Sequence, residues 1–147
     1  MRRFLPPYLV LLSLAALATL RAWHPEGLTL RADRAMPWDI PLASGLIVLV
    51  WARAHFLRRG AEIMTFGEPR ALVTDGPFRF SRNPMYLGFL LVLTGAAFFV
   101  NLWCALLAPL VFLLASAFWY IPFEERALRG RFGRSYDDYA RRTRRWI

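Results

Sequence analysis

Apolar and polar residues fall in long blocks along this chain. Phe4 to Leu20 is an uncharged run of 17 residues behind Arg2 and Arg3. Ile40 to Leu57 is apolar except for Arg53 and His55 near its end. Between Arg82 and Glu124 there is no charge for 41 residues. A helix crosses a bilayer with about 20 apolar residues, so this last block holds two crossings and a tight turn. Asn101, after Phe98-Phe99-Val100, is the natural turn, because polar side chains are costly in lipid and tolerable at an interface. The pattern predicts an all-α polytopic membrane protein with about four transmembrane helices, near 4–21, 40–57, 84–100 and 102–122. The last two form a helical hairpin. The first block also carries a weak small-x-small site at Ala16 and Ala18, as a cleaved signal peptide would. Its apolar core exceeds the usual length of about 7–15 residues, so an uncleaved first helix is expected.

Composition agrees with that reading. Hydrophobic residues make up 57% of the 147, against about 45–50% in soluble domains. Aromatic residues at 16% exclude a disordered chain. A lone cysteine, Cys104, excludes a disulfide scaffold. The net charge of +9 leaves two meanings, a membrane protein with cationic faces or a nucleic-acid binder. Sorting the charges by topology separates them. With four spans, both termini and the 58–83 linker share one side, which holds 16 of the 19 arginines once Arg53 is included. The other loop, 21–39, carries Arg21, Arg31 and Arg34 against Glu26, Asp33 and Asp39. The arginine-rich side is cytoplasmic by the positive-inside rule, so both termini are cytoplasmic and no nucleic acid is needed to explain the charge. The chain reads as one membrane domain over 1–147, without internal repeats.

The cytoplasmic pieces are the linker 58–83 and the cap 124–147. The linker keeps Phe66, Phe78 and Phe80, which argues against disorder. It is briefly extended at Ala71 to Thr74 and turns at Asp75-Gly76-Pro77. Glu124 to Phe132 reads as a short helix closed by Gly133. Ser135-x-x-Asp138 resembles a capping box opening a second helix. There Tyr136, Tyr139, Thr143 and Trp146 make an aromatic face opposite Arg141, Arg142, Arg144 and Arg145. Such amphipathic cap helices lie on the membrane or fold back over the protein's own mouth.

Two places concentrate possible chemistry. The first is Gly76 to Gly88, where the linker runs into the third helix. Asn83 is a good N-cap and Pro84 suits a first helical turn, so a cap, a turn and an interfacial Arg-Tyr belt explain the segment structurally. Tyr86 and Gly88 just inside the helix also fit close approach of a ligand or a backbone. The second is Glu124-Glu125, since carboxylates at a membrane boundary are functional candidates. Helix-start acids favoured by the dipole are the plainer account. His24 and His55 fall on opposite sides of the membrane and form no metal site together. Cys104 has no histidine neighbour and reads as packing.

Taken in order, several motifs resemble the isoprenylcysteine carboxyl methyltransferase and phospholipid methyltransferase superfamily. They are Gly76-Pro77-Phe78, Ser81-Arg82-Asn83-Pro84-Met85-Tyr86-Leu87-Gly88, Glu124-Glu125, Phe132-Gly133-x-x-Tyr136-x-x-Tyr139 and Arg142-x-x-Arg145-Trp146. The likeness spans about residues 65–147. The family commonly has Arg-His-Pro-x-Tyr, with Asn83 here at the histidine position; asparagine hydrogen-bonds but does not titrate near neutral pH. The resemblance implies S-adenosylmethionine as cofactor, bound by Arg82, Asn83, Tyr86, Glu124, Glu125, Tyr136 and Tyr139. Arg142 and Arg145 would pair with the glutamates or meet an anionic substrate headgroup. The acceptor would be lipophilic or membrane-partitioned: a phospholipid amine, a carboxylate or a small thiol. No metal is implied. Arginine-only basicity in so small a chain suggests a bacterium, and so its inner membrane. A membrane reductase of the sterol type using NADPH, or a non-catalytic membrane protein, are the rival readings.

Overall fold

The computed structural model describes residues 5–23, 28–30, 37–60 and 71–147. His24, Phe66 and the rest of linker residues 61–70 therefore lie outside the described residues. The helices are α1 (Pro6–Trp23), α2 (Asp39–Arg58), α3 (Pro84–Val100), α4 (Leu107–Ala115), α5 (Ile121–Phe132) and α6 (Arg134–Arg142). Single 3₁₀ turns occupy Gly76–Arg79 and Trp103–Leu106, and a π-turn at Ser116–Tyr120 joins α4 to α5. Among the described residues there is no strand, only an isolated bridge between Thr29 and Leu102. The expected extension at 71–74 is irregular backbone, with Val73 buried against Phe78.

Three stretches are long and apolar enough to cross a membrane: α1, α2 and the continuous helical rod Trp103–Phe132 of 30 residues. The fourth, α3, has 17 residues, or about 26 Å at 1.5 Å per residue, slightly short of a hydrocarbon core of about 30 Å. Large apolar side chains such as Leu46, Ile47, Val50, Leu110, Val111 and Phe118 are exposed on the bundle's outer faces, as lipid-facing positions are. The helices alternate in direction. Asn101 turns the chain between α3 and α4 with φ of 60°, a left-handed conformation that asparagine tolerates. Leu28 and Leu30, shortly after α1, hydrogen-bond to Trp103 and Asn101, so α1 ends at the same pole as that turn. The opposite pole gathers the end of α2, the start of α3 and the glutamates of α5.

Two expectations need correction here. The span expected at 102–122 and the short helix expected over 124–132 are not separate; one rod runs through Pro122. Proline lacks the N–H of a helical ladder and its ring collides with the carbonyl four residues back. The π-turn immediately before Pro122 opens the ladder where that conflict falls, so the helix continues. The second cap helix is also shorter than expected. It begins at Arg134 without a side-chain cap bond, so the Ser135–Asp138 box does not form, and it ends at Arg142. Gly133, at φ 51°, makes the corner that starts it. Thr143 is extended, so Thr143 to Trp146 leave the helix and run as a strap. Trp146 still reaches the main apolar cluster, but from the strap.

α2 and α3 form the most extensive pairing, and glycines make it close. A methyl group on Gly45 would lie 2.8 Å from the Gly88 carbonyl oxygen and 2.8 Å from the Val92 nitrogen. Gly95 faces Leu42 and the Trp38 carbonyl in the same way. Gly88 is thus accounted for by the approach of α2's backbone, one of its two sequence readings.

A polar clamp ties the loop before α3 to α2. His55 Nε2 meets Asp75 Oδ1 at 2.9 Å, and Arg59 pairs with the other carboxylate oxygen. Gly76 lies flat on the imidazole, where any Cβ would come within 2.7 Å of the ring. The His55 hydrogen bond is the largest influence and outweighs the opposing effect of burial; with the Arg59 charge adding to it, the Asp75 carboxyl is held below its ordinary 3.8. A depressed carboxylate stabilises the fold above its ordinary pKa, and that contribution is lost as pH falls through the folded value. Asp75→Asn is therefore expected to melt below the parent at pH 7. The gap should close in acid below 3.8, as seen by thermal denaturation in detergent across pH. A gap that persists in acid would assign the effect to shape instead of charge.

Candidate active site

The polar pole of the bundle is built from three segments. The α3 start supplies Arg82, Asn83 and Tyr86. α5 supplies Glu124 and Glu125 one turn past the π-turn. α6 and the strap supply Tyr136, Tyr139 and Arg145. Tyr86 is buried and its hydroxyl donates to Glu124 Oε1 at 2.8 Å. Its ring stacks on Tyr120 with centroids 6.4 Å apart and meets Phe112 at 6.3 Å. Glu125 points to the other side and is held by two guanidiniums. Arg145 takes both carboxylate oxygens, at 3.1 and 2.6 Å. Arg82 Nη2 stands 3.5 Å from Oε1. Bidentate pairing of this kind fixes geometry as well as charge.

Tyr136 and Tyr139 close the cluster. Tyr136 is fully buried and packs edge-on against Tyr139, with Arg129 over its other face at 5.6 Å. The Tyr139 hydroxyl donates to the Phe78 carbonyl at 2.7 Å, tying α6 to the 3₁₀ turn. Burial pushes both phenols up, so both stay neutral hydrogen-bond donors at physiological pH. Hydrogen bonding to Glu125 raises the Arg145 guanidinium further. Arg82 Nε is buried and has no hydrogen-bond partner, an uncommon state for so strong a donor.

The structure thus brings together Arg82, Asn83, Tyr86, Glu124, Glu125, Tyr136, Tyr139 and Arg145. It leaves Arg142 apart, exposed on α6 and donating to the Asp138 carbonyl of its own helix. Asn83 is buried, but its side chain does not cap α3; its Nδ2 donates to the Arg145 carbonyl at 2.9 Å. A separate open cleft is lined by Arg59 and Ala71 to Asp75, none of them in this cluster. Among the described residues there is no group of three metal-ligating side chains.

Three participants escaped the sequence reading: Phe112, Ser116 and Tyr120. All are buried, and the Ser116 hydroxyl has no partner. With Glu124 they recur every four residues down the rod, the spacing of one helical face. That stripe is visible in the sequence, but the uniformly apolar block around it hides the period.

A helical membrane protein with a carboxylate–arginine–tyrosine cluster at one pole is the class that this geometry defines. The model of the family described as phospholipid methyltransferase matches residues 40–135. The chain belongs to that family. It is also similar to two rice proteins, from Oryza sativa subsp. indica and subsp. japonica, each named probable protein-S-isoprenylcysteine O-methyltransferase. Each is 34% identical over 81 residues, covering 53% of this chain and 41% of the relative. The aligned part is thus well under half of the curated relatives' length. No solved structure matches.

Proposed function

We propose that this protein transfers a methyl group from S-adenosylmethionine to a lipophilic or membrane-partitioned acceptor, at the pole where Tyr86–Glu124 and Arg82–Glu125–Arg145 meet. The observation that carries the reading is the buried, unpartnered Nε of Arg82, with the equally unpartnered Ser116 hydroxyl on the neighbouring helical face. Such an atom is a vacant donor for an anionic group, and a free carboxylate is what an amino-acid-bearing cofactor presents.

The residues fit that cofactor in kind. Glu124 and Glu125 are acceptors for ribose hydroxyls or an amino group, and Arg82 is a donor for the carboxylate. The Tyr86, Tyr120 and Phe112 rings offer π faces to a cation in an apolar wall. When bound, S-adenosylmethionine supplies an electrophilic methyl on a sulfonium. What the chain contributes is position and exclusion of water, which is where most of the advantage lies for an in-line displacement. Tyr136 and Tyr139 exclude solvent from above, while the lipid-facing bundle below gives an apolar acceptor a sideways route. The acceptor is a phospholipid amine, a carboxylate or a small thiol. The arginine-rich pole faces the cytoplasm, with both termini on that side of a bacterial inner membrane.

Calorimetric titration of S-adenosylmethionine into the detergent-solubilised protein tests this. Wild type is expected to bind S-adenosylmethionine and not NADPH. Tyr86→Phe removes one hydrogen bond to a charged group, and Glu124→Gln removes the charge itself. Each is expected to weaken binding on the order of tenfold, since such bonds contribute about 1.5–3 kcal/mol. Unchanged affinity in both variants overturns the assignment of the site, and binding of NADPH alone overturns the reaction class.

A further inference from the structure

Asn83 stands immediately before α3, where an asparagine side chain ordinarily accepts a hydrogen bond from the helix's free N–H groups. It makes no such bond. Its Nδ2 reaches across the fold to the carbonyl of Arg145 at 2.9 Å. The neighbouring contacts point the same way. The Arg82 N–H donates to the Arg144 carbonyl at 2.9 Å. Ser81 Oγ accepts the Asn83 N–H at 3.1 Å and lies 3.4 Å from the Arg145 carbonyl. Thr143 Oγ1 is 3.5 Å from the Arg79 carbonyl. The strap is thus latched onto residues 79–83 through the Thr143 hydroxyl and the backbone carbonyls of Arg144 and Arg145.

Arg145 links this latch to the site. Its carbonyl is held by Asn83, and its guanidinium holds both oxygens of Glu125. Releasing the first contact lets the second drift. We propose that Asn83 is a positioning residue of the cofactor site: its amide donor fixes the Arg145 backbone, and through Arg145 it sets the Glu125 carboxylate and holds the strap closed over the mouth. The inference rests on the cofactor reading above. It also gives a reason for asparagine at this position that involves no proton transfer. The position needs an N–H donor, which asparagine and histidine both supply and leucine does not.

The test uses the full chain in detergent and three variants: Asn83→Leu, close in size without a donor; Asn83→Ala, in case leucine does not fold; and Asn83→His. Two quantities are read: hydrogen exchange of the Arg82 amide, which reports the latch, and the Kd for S-adenosylmethionine. Leucine or alanine is expected to speed Arg82 exchange and raise Kd on the order of fivefold, the effect of one net hydrogen bond. Histidine restores both. In wild type, S-adenosylmethionine slows Arg82 exchange, because coupling between latch and cofactor is reciprocal. A freed latch with unchanged Kd overturns the proposal, leaving Asn83 a tail anchor only. Failure of histidine to restore either quantity in a folded protein overturns the donor requirement. Wild type that binds no S-adenosylmethionine overturns the cofactor reading and the positioning role with it, while the exchange difference still reports the latch by itself.

Discussion

Glu125→Leu is expected to give the largest loss of any single change in the cluster, lowering both cofactor affinity and melting temperature. The carboxylate is the shared counter-charge of Arg82 and Arg145, and its side chain is 13% exposed. Arg82 is nearly as enclosed at 15%, whereas Arg145 is 43% exposed. Removing one partner of a fully buried pair costs about 3–5 kcal/mol, chiefly because the remaining charge is stranded. Here solvent screens the Arg145 half, so a smaller loss of about 2–3 kcal/mol is expected. Affinity should fall roughly a hundredfold, since about 2.7 kcal/mol corresponds to two decades. Glu125→Gln keeps the shape and one acceptor and should fall between leucine and wild type. Thermal denaturation in detergent and titration of labelled S-adenosylmethionine measure the two effects. A melting temperature unchanged in Glu125→Leu would show that Arg82 and Arg145 find water once released, and that the ion pairs do not hold the mouth together.

The contrast between Glu124 and Glu125 shows how the fold divides adjacent residues. On a helix, neighbouring side chains point about 100° apart. Glu124 continues the Phe112–Ser116–Tyr120 face toward Tyr86, and Glu125 turns to the strap. One carboxylate therefore meets a neutral phenol inside the bundle, and the other meets two cations at its rim. A ligand bearing both cationic groups and a carboxylate would meet acceptors and donors already separated.

What was readable in the chain follows from the strength of each physical signal. An apolar block without a charge from Asn83 to Phe123 leaves little choice but helices in lipid, and Asn101 is the sole turn-former near its middle. The Arg82-to-Gly88 and Glu124-Glu125 motifs lie beside each other in space, joined by Tyr86–Glu124 and Arg82–Glu125. The strap was not legible. Tyr136, Tyr139, Thr143 and Trp146 keep helical spacing, so the pattern favours one long amphipathic helix. What ends α6 at Arg142 is tertiary: the backbone of residues 144 and 145 is taken by Arg82 and Asn83, and local spacing carries no trace of those contacts. The π-turn was equally hidden. Pro122 reads as a stop locally, and only the ladder's ability to absorb one extra residue turns it into a continuation.

The second large effect is expected far from any charge. Gly45→Ala should destabilise the protein more than Gly88→Ala, although the two glycines face each other across α2 and α3. The reason is what each new methyl meets. At Gly45 its nearest neighbours include the Gly88 carbonyl oxygen and the Val92 nitrogen, both at 2.8 Å. Backbone cannot step aside without moving a whole helix. At Gly88 the nearest atom is Leu49 Cγ at 2.6 Å, part of a side chain with other rotamers, and the closest backbone atom is Gly45 O at 3.0 Å. Overpacking costs about 1–3 kcal/mol and more where no side chain can yield. Helix pairs in lipid depend on close backbone approach because no hydrophobic effect drives them together. Gly45→Ala should therefore lie near or above the top of that range and Gly88→Ala inside it. The consequence reaches the site, because α3 carries Arg82, Asn83 and Tyr86 at its start, and a helix pushed from α2 shifts them against α5. Cofactor affinity should fall in step with stability for Gly45→Ala. Thermal denaturation of the two variants side by side decides the ordering; equal losses, or a larger loss at Gly88, would mean that α2 and α3 do not meet through their glycines.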